Sequence, residues 1–215
     1  MTPGDLFYLR TVLSLGLLTG PVLEIGGRSW QANGNASRVC DDAGLAWEAA
    51  DLEPGEGVSY VLDILDENAV ATIEKRWPSV LAFNLLEHVY DPITALRHTM
   101  SLVAPGGICL VLTPAVWQLH DFPADYWRPM PDFYLEFARR EGLGVLPGTF
   151  SWVVGDELII PVEDLTYEDQ KLLPSKHSQP WRSRYSDAVH RIANTAGRSM
   201  FFPYSALGCG FANPW

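Results

Sequence analysis

The stretch VLAFNLLEHVYDP, residues 80–92, decides how the chain is read. Val80, Leu81, Ala82 and Phe83 run without a polar break, and then Asn84, Glu87 and His88 arrive before a Tyr-Asp-Pro turn. An unbroken apolar run of strand length fits a strand covered on both faces, as in a parallel sheet flanked by helices. A strand with one wet face would alternate. Polar residues at the carboxyl end of such a strand fall where open α/β sheets bind ligands, beyond the strand tips.

The neighbouring segments repeat the pattern. PVLEIGG (21–27) is a short apolar strand breaking into glycines, AWEAADLEPGEG (46–57) a second strand ending at Asp51, and SYVLDILD (59–66) a third ending at Asp63. ICLVLTP (108–114) is again continuously apolar, and TFSWVV (149–154) is a final aromatic strand. Helical segments lie between them. ASRVCDDAGL (36–45) closes near Gly44, and a helix from Asp66 carries Val70, Ile73 and Trp77 up to Pro78. Asp91 is a good N-cap with Pro92 at the first helical position, where its missing N–H costs nothing. Ile93, Leu96, Met100 and Val103 then make one apolar face, ended by Pro105-Gly106-Gly107. A helix from Pro131 carries Phe133, Phe137 and Arg140 to Gly142. Alternating strands and helices predict an α/β fold with a doubly wound, Rossmann-like, mostly parallel sheet. Its core would span residues 21–158, with a helix in 1–20 docking on it and an extension, 159–215, packing on the same domain. In that extension, 162–173 and 184–197 look helical, and SMFFPY (199–204) could add an edge strand.

Bulk properties exclude several classes. A formal net charge of −11 argues against general nucleic-acid binding, because phosphates would be repelled outside a local basic patch. Cys40, Cys109 and Cys209 are odd in number, lie far apart and lack metal-ligand spacing, so a reducing, cytoplasmic setting is expected, with neither disulfides nor a metal cluster. TVLSLGLLTG (11–20) is too short to span a bilayer, so no membrane span is expected. The oligomeric state is left open.

The strand tips carry the candidate chemistry. Gly26 and Gly27 permit close approach of a ligand, and Glu24 sits just beneath them as an acid that needs a buried partner. Arg28 and Trp30 occupy positions where a dinucleotide fingerprint would continue in glycine, which disfavours a pyrophosphate. A nucleoside without a diphosphate fits better: Asp51 suits a ribose diol, and Asp63, with Ile64 beside it, an adenine edge and face. The loop PAVWQLHDFPADYWRPMP (114–131) follows the fifth strand. Trp117, Asp121, Tyr126, Trp127 and Arg128 are candidate acceptor-pocket residues there, and His120 a candidate base. Arg128 could instead brace the loop through Asp125 or Asp121. His88 reads as ordering a helix start and His98 as solvated, while His177 and His190 have no visible partner. Six cations at Lys171, Lys176, Arg182, Arg184, Arg191 and Arg198 form either a solvated face or a seat for an anionic acceptor.

VLEIGG, DLEPGEGVSYVLDI, VLAFNLLEHVYDPITALRHTMSLVAPGGICLVLTP and HDFPADYWRPMP, in that order, resemble the successive motifs of class I S-adenosylmethionine-dependent methyltransferases. They are most similar to a small bacterial branch with a His-x-x-Pro-x-Asp-Tyr-Trp-Arg loop. The resemblance covers residues 20–150 and departs from the superfamily at Arg28-Ser29-Trp30, where another glycine is usual. It implies that S-adenosylmethionine is the cofactor, with Glu24, Gly26 and Gly27 along its methionine and ribose side. Asp51 and Leu52 would lie at the ribose hydroxyls and Asp63 and Ile64 at the adenine. Asn84, Leu85 and Leu86 would wall the sulfonium, with Glu87 and His88 behind. The implied activity is methyl transfer to a small molecule or sugar, on oxygen. Two rivals are a nicotinamide-dependent oxidoreductase or epimerase, which lacks its pyrophosphate glycines and a Tyr-x-x-x-Lys pair here, and a methyltransferase-like binding or scaffold protein.

Overall fold

The computed structural model describes residues 1–28, 36–120, 123–156, 158–162 and 205–214. Helix α1 (Pro3–Ser14) precedes strand β1 (Val22–Ile25), and α2 (Ser37–Asp42) leads to β2 (Trp47–Asp51) and β3 (Val58–Val61). Then come α3 (Glu67–Ala71), β4 (Trp77–Phe83), a single 3-10 turn (Leu86–His88), α4 (Pro92–Ser101) and β5 (Val103–Val116). Helix α5 (Pro131–Glu141) is followed by β6 (Gly144–Val145), β7 (Ser151–Val154), β8 (Leu158–Pro161) and β9 (Ser205–Ala212).

One sheet runs β3-β2-β1-β4-β5-β9-β7-β8, with β6 paired to β9. Strands β3 to β5 pair in parallel, whereas β9 runs antiparallel to both β5 and β7, and β8 antiparallel to β7. This is the mostly parallel α/β sheet that the sequence predicts. Two apolar layers explain the unbroken runs. Val80, Ala82, Cys109 and Val111 enter a core with Ala95, Leu96, Tyr134 and Phe137 of α4 and α5. Leu81, Phe83, Leu110 and Leu112 enter another with Tyr8, Leu9 and Val12 of α1 and Val39 of α2. Successive residues of one strand thus face opposite layers, and each fully buried leucine contributes roughly 2 kcal/mol.

Helix α1 is held to the sheet by close packing. Tyr8 is buried and donates its hydroxyl to the Thr149 carbonyl at 2.7 Å. Its ring lies against Gly208 of β9, where a Cβ would stand 2.4 Å from the ring. The capping box at the start of α1 joins Thr2 and Asp5 reciprocally.

Several elements differ from the sequence expectation. Trp77 opens β4 instead of closing the preceding helix, and that helix stops at Ala71. Trp77 is fully buried, and Pro78 is tolerated because the β4–β5 register shifts between Trp77 and Ser79. Helix α4 starts at Pro92 under an Asp91 cap as expected, with Asp91 Oδ1 accepting from the Thr94 N–H at 3.0 Å. It buries Ala95, Leu96 and Thr99, however, while Ile93 is exposed, and Val103 together with Pro105-Gly106-Gly107 belongs to β5. Helix α5 closes on Gly142 in the left-handed region, φ 68°, as expected. A strand does form within the extension, but at 205–212 and in the middle of the sheet. The strand expected at 199–204 and, Val162 apart, the helices expected at 162–173 and 184–197 lie outside the described residues, as do His177, His190 and the basic segment 171–198. Among the described residues no helix is long and apolar enough to cross a membrane.

Candidate active site

The carboxyl ends of β1, β2 and β4 and the segment after β5 bring most of the expected residues to one edge of the sheet. At the tip of β1, Gly26 has φ 76°, a conformation that favours glycine. A Cβ on Gly27 would stand 2.8 Å from Ala49 Cβ and 3.1 Å from the Glu24 side chain, so the turn has no room for one. Glu24 is buried, and its Oε2 accepts from the Ala36 N–H at 3.1 Å and Trp47 Nε1 at 2.9 Å. It therefore braces β1 to the start of α2 and to β2. Burial pushes its carboxyl up to about 7, against the two hydrogen bonds, which favour the ionised form.

At the end of β2, Asp51 accepts from the Arg28 N–H and from the Glu53 N–H, each at 3.1 Å. The Arg28 side chain, at the position where the resemblance departs, bonds Glu53 and lies 3.9 Å from Asp51 Oδ1. The acid is thus oriented by backbone donors on two sides, with a guanidinium alongside. Leu52 is exposed. Asp63 is exposed and accepts from the Leu65 N–H at 2.9 Å, while Ile64 is buried in the core beneath. His98, expected to be solvated, instead has Nδ1 2.7 Å from the Ile64 carbonyl and so pins this loop from α4.

After β4 the chain turns sharply. Asn84 has φ 52°, and its N–H donates to the Leu112 carbonyl of β5 at 2.8 Å. Leu85 is half-buried beside Gly26, and Leu86 is turned fully into the core. Glu87 is fully buried, and neither carboxylate oxygen has a hydrogen-bond partner among the described residues. Burial pushes its carboxyl up to about 8, aided by Asp5 and Asp125 and opposed by Arg128. Glu87 is accordingly protonated at neutral pH.

The loop after β5 supplies a second cluster. Asp125 receives a two-pronged hydrogen bond from Arg128, whose Nη2 lies 2.6 Å from Oδ2, and this pairing lowers its carboxyl to about 2. His120 Nδ1 is 3.1 Å from Asp125 Oδ2 and 3.2 Å from the Gln118 carbonyl. Both partners accept, so Nδ1 carries a proton, and Nε2 is the nitrogen that bears the lone pair in the neutral ring. The His120 ring meets His88 edge-on with centroids 4.8 Å apart. His88 Nδ1 is 2.6 Å from the Ala124 carbonyl, which again assigns the proton to Nδ1, and Nε2 lies 3.7 Å from Glu87 Oε1. Burial lowers the His88 pKa, which favours the neutral ring. Glu87, His88 and His120 each offer a ligand atom within 4.8 Å of the others. Three such donors could hold a divalent metal, a convergence that their spacing in the chain does not reveal.

Of the residues expected to line an acceptor pocket, Tyr126 and Trp127 are exposed and tied to this cluster: the Tyr126 N–H donates to the Glu87 carbonyl at 2.7 Å and Trp127 Nε1 to the Tyr90 carbonyl at 3.2 Å. Tyr90, which the sequence reading passed over, also meets Tyr126 edge-on at 5.6 Å. Arg128 braces the loop through Asp125. Trp117 is half-buried and packs against the core layer that includes Tyr8, Leu9, Leu110 and Leu112. Asp121 lies outside the described residues.

With this geometry in place, residues 7–143 match the family model described as a methyltransferase domain. A ubiquinone biosynthesis O-methyltransferase of Proteus mirabilis is 41% identical over 56 residues, spanning 26% of this chain and 22% of that protein. One of Parvibaculum lavamentivorans is 26% identical over 109 residues, spanning 51% of this chain and 40% of that protein. The chain thus matches less than half the length of these curated relatives. Among solved structures, a Bacillus halodurans C-125 protein assigned as a methyltransferase shares the fold at TM-score 0.56 and 14% identity, over 96% of this chain and 99% of that one. The Haemonchus contortus phosphoethanolamine N-methyltransferase 2, in complex with phosphomonomethylethanolamine and S-adenosylhomocysteine, shares it at TM-score 0.53 and 14% identity, over 97% of this chain and 52% of that one.

Proposed function

The chain belongs to the methyltransferase-domain family, and on that premise we propose that it moves the methyl group of S-adenosylmethionine onto an oxygen of a small-molecule or sugar acceptor. The strand tips fit this cofactor. Gly26 has a positive φ at the tip of β1, where its missing side chain keeps the turn narrow, and Asp51, held by two backbone N–H groups, keeps lone pairs for ribose hydroxyls. Asp63 and the turn over Ile64 would take the adenine, and Asn84 and Leu85 the sulfonium side. The names of the curated relatives support oxygen as the acceptor atom. Three free, buried cysteines suit a reducing, cytoplasmic setting.

The bound cofactor supplies an electrophilic methyl group on a positively charged sulfur. The chain supplies position, a proton acceptor and exclusion of water. The observation that carries the reading is the Asp125–His120 pair. Asp125, kept ionised by Arg128, accepts from His120 Nδ1, which directs Nε2 as the atom that would take the proton of an acceptor hydroxyl, and it would stabilise the imidazolium so formed. Protonated Glu87 adds no negative charge beside the incoming acceptor. The exposed faces of Tyr126 and Trp127 would stack against an aromatic or sugar ring. Calorimetry with S-adenosylhomocysteine and a methyl-transfer assay over hydroxylated aromatics and sugars test the proposal. His120→Ala should slow turnover about a hundredfold while sparing cofactor affinity. Failure of the wild type to bind S-adenosylhomocysteine would sink the methyl-transfer reading, and an unchanged rate in His120→Ala would remove His120 as the base.

A further inference from the structure

Helix α1 reaches the tip of β4 through a buried acid. Asp5 is fully buried, and its Oδ2 accepts from the Thr2 N–H at 2.6 Å and from Asn84 Nδ2 at 2.9 Å. A carboxylate can only accept, so the Asn84 amide must present its nitrogen to Asp5 and its oxygen to the other side. That oxygen, Asn84 Oδ1, is buried and has no hydrogen-bond partner among the described residues. The backbone of Asn84 is just as constrained. It adopts φ 52°, a region that residues other than glycine rarely occupy, while its N–H is tied to the Leu112 carbonyl. A strained residue fixed at both ends and presenting a bare acceptor is organised for a donor that binds there. Leu85, next in the chain, lies 3.6 Å from where a Cβ on Gly26 would stand, so the turn that carries Asn84 adjoins the tip of β1. Glu87, also fully buried, has no hydrogen-bond partner among the described residues either.

Resting on the methyltransferase reading, we propose that α1 completes the cofactor site: Asp5 is a positioning residue that holds Asn84 so that Oδ1 receives the α-ammonium at the methionine end of S-adenosylmethionine. An ammonium donates and never accepts, which complements an amide oxygen and, behind it, a buried carboxylate. The adenosine end, by contrast, would be served by Asp51 at the end of β2 and Asp63 in the loop after β3. Affinity for the ammonium is therefore separable from affinity for the nucleoside.

Calorimetry with two ligands reads that separation: S-adenosylhomocysteine, which carries the ammonium, and methylthioadenosine, which keeps the nucleoside and thioether but lacks the amino acid. Asp5→Asn should weaken S-adenosylhomocysteine about tenfold or more and leave methylthioadenosine within about twofold. Asn84→Ala, which leaves the α1 cap intact, should do the same, and the double variant should be no worse than Asn84→Ala alone. Thr2→Ala breaks the cap but keeps the acid, and should leave the ratio of the two affinities unchanged. The proposal is overturned if Asn84→Ala leaves that ratio unchanged, if Asp5→Asn weakens both ligands in parallel, or if Thr2→Ala shifts the ratio as much as Asp5→Asn. A wild type that binds neither ligand would instead defeat the cofactor assignment.

Discussion

Replacing Glu24 with glutamine should flatten the dependence of stability on pH. The carboxyl titrates near 4.5 when unfolded and is raised to about 7 in the fold, mainly by burial. Between those values the folded state holds a proton that the unfolded state has released, so stability falls as pH rises and is fully present only below pH 4.5. The loss across the window amounts to about 3 kcal/mol for this one group. Glutamine keeps the geometry, because a single oxygen, Oε2, accepts from both the Ala36 N–H and Trp47 Nε1. Denaturant titrations of wild type and Glu24→Gln at pH 5, 6, 7 and 8 isolate the effect, since every other titrating group, Glu87 included, is common to both proteins. Wild type should be as stable as the variant or more so at pH 5, and should lose about 2–3 kcal/mol relative to it by pH 8. Parallel curves would mean that Glu24 is not held protonated by burial, and the account of β1 as a braced, dry strand would fail with it.

Gly27→Ala places a Cβ 2.8 Å from Ala49 Cβ, and should cost about 1–3 kcal/mol in thermal or denaturant unfolding. Asp51→Ala should weaken S-adenosylhomocysteine by about 1–3 kcal/mol in calorimetry without a matching fall in melting temperature; equal affinity would remove Asp51 from the ribose. Tyr8→Phe strips the buried Thr149 carbonyl of its donor and should lower stability by about 1–2 kcal/mol, measured by denaturation, with methyl transfer intact.

The parts of the fold that read well from sequence are those where local pattern and burial agree. Strands β1, β4 and β5 are apolar on both faces because both faces are covered, and Asp91-Pro92 and Gly142 mark helix ends by rules confined to a few residues. Strand β9 hid because SALGCGFA contains two glycines that look like turn formers. Gly208 and Gly210 are instead required by the Tyr8 ring and the Thr149 side chain lying over the strand, contacts made by residues far away in the chain. Trp77 was drawn to the helix by its spacing from Ile73, whereas its indole is buried and bonded to Glu48 on β2. At the candidate site, the sequence displays Asp51 and Asn84 as polar residues at strand ends and His120 in the loop after β5. It does not display the approach of His88 to His120, since that depends on β4 and β5 being neighbours. Nor does it display the Asp5–Asn84 bond, which joins a helix cap to a strand tip 79 positions away.

Strand β9 also sets a schedule for the ribosome. It pairs with β5 on one side and β7 on the other, yet comes after both in sequence. Until residue 212 has emerged, β5 presents a bare row of peptide groups and the β7–β8 hairpin has no partner to register against. The parallel half can assemble early, but the two halves become one sheet only at the last insertion, when β9 slides between them. Nascent chains stalled before residue 205 should therefore carry an adhesive edge at β5, of the kind that recruits chaperones or other unfinished copies.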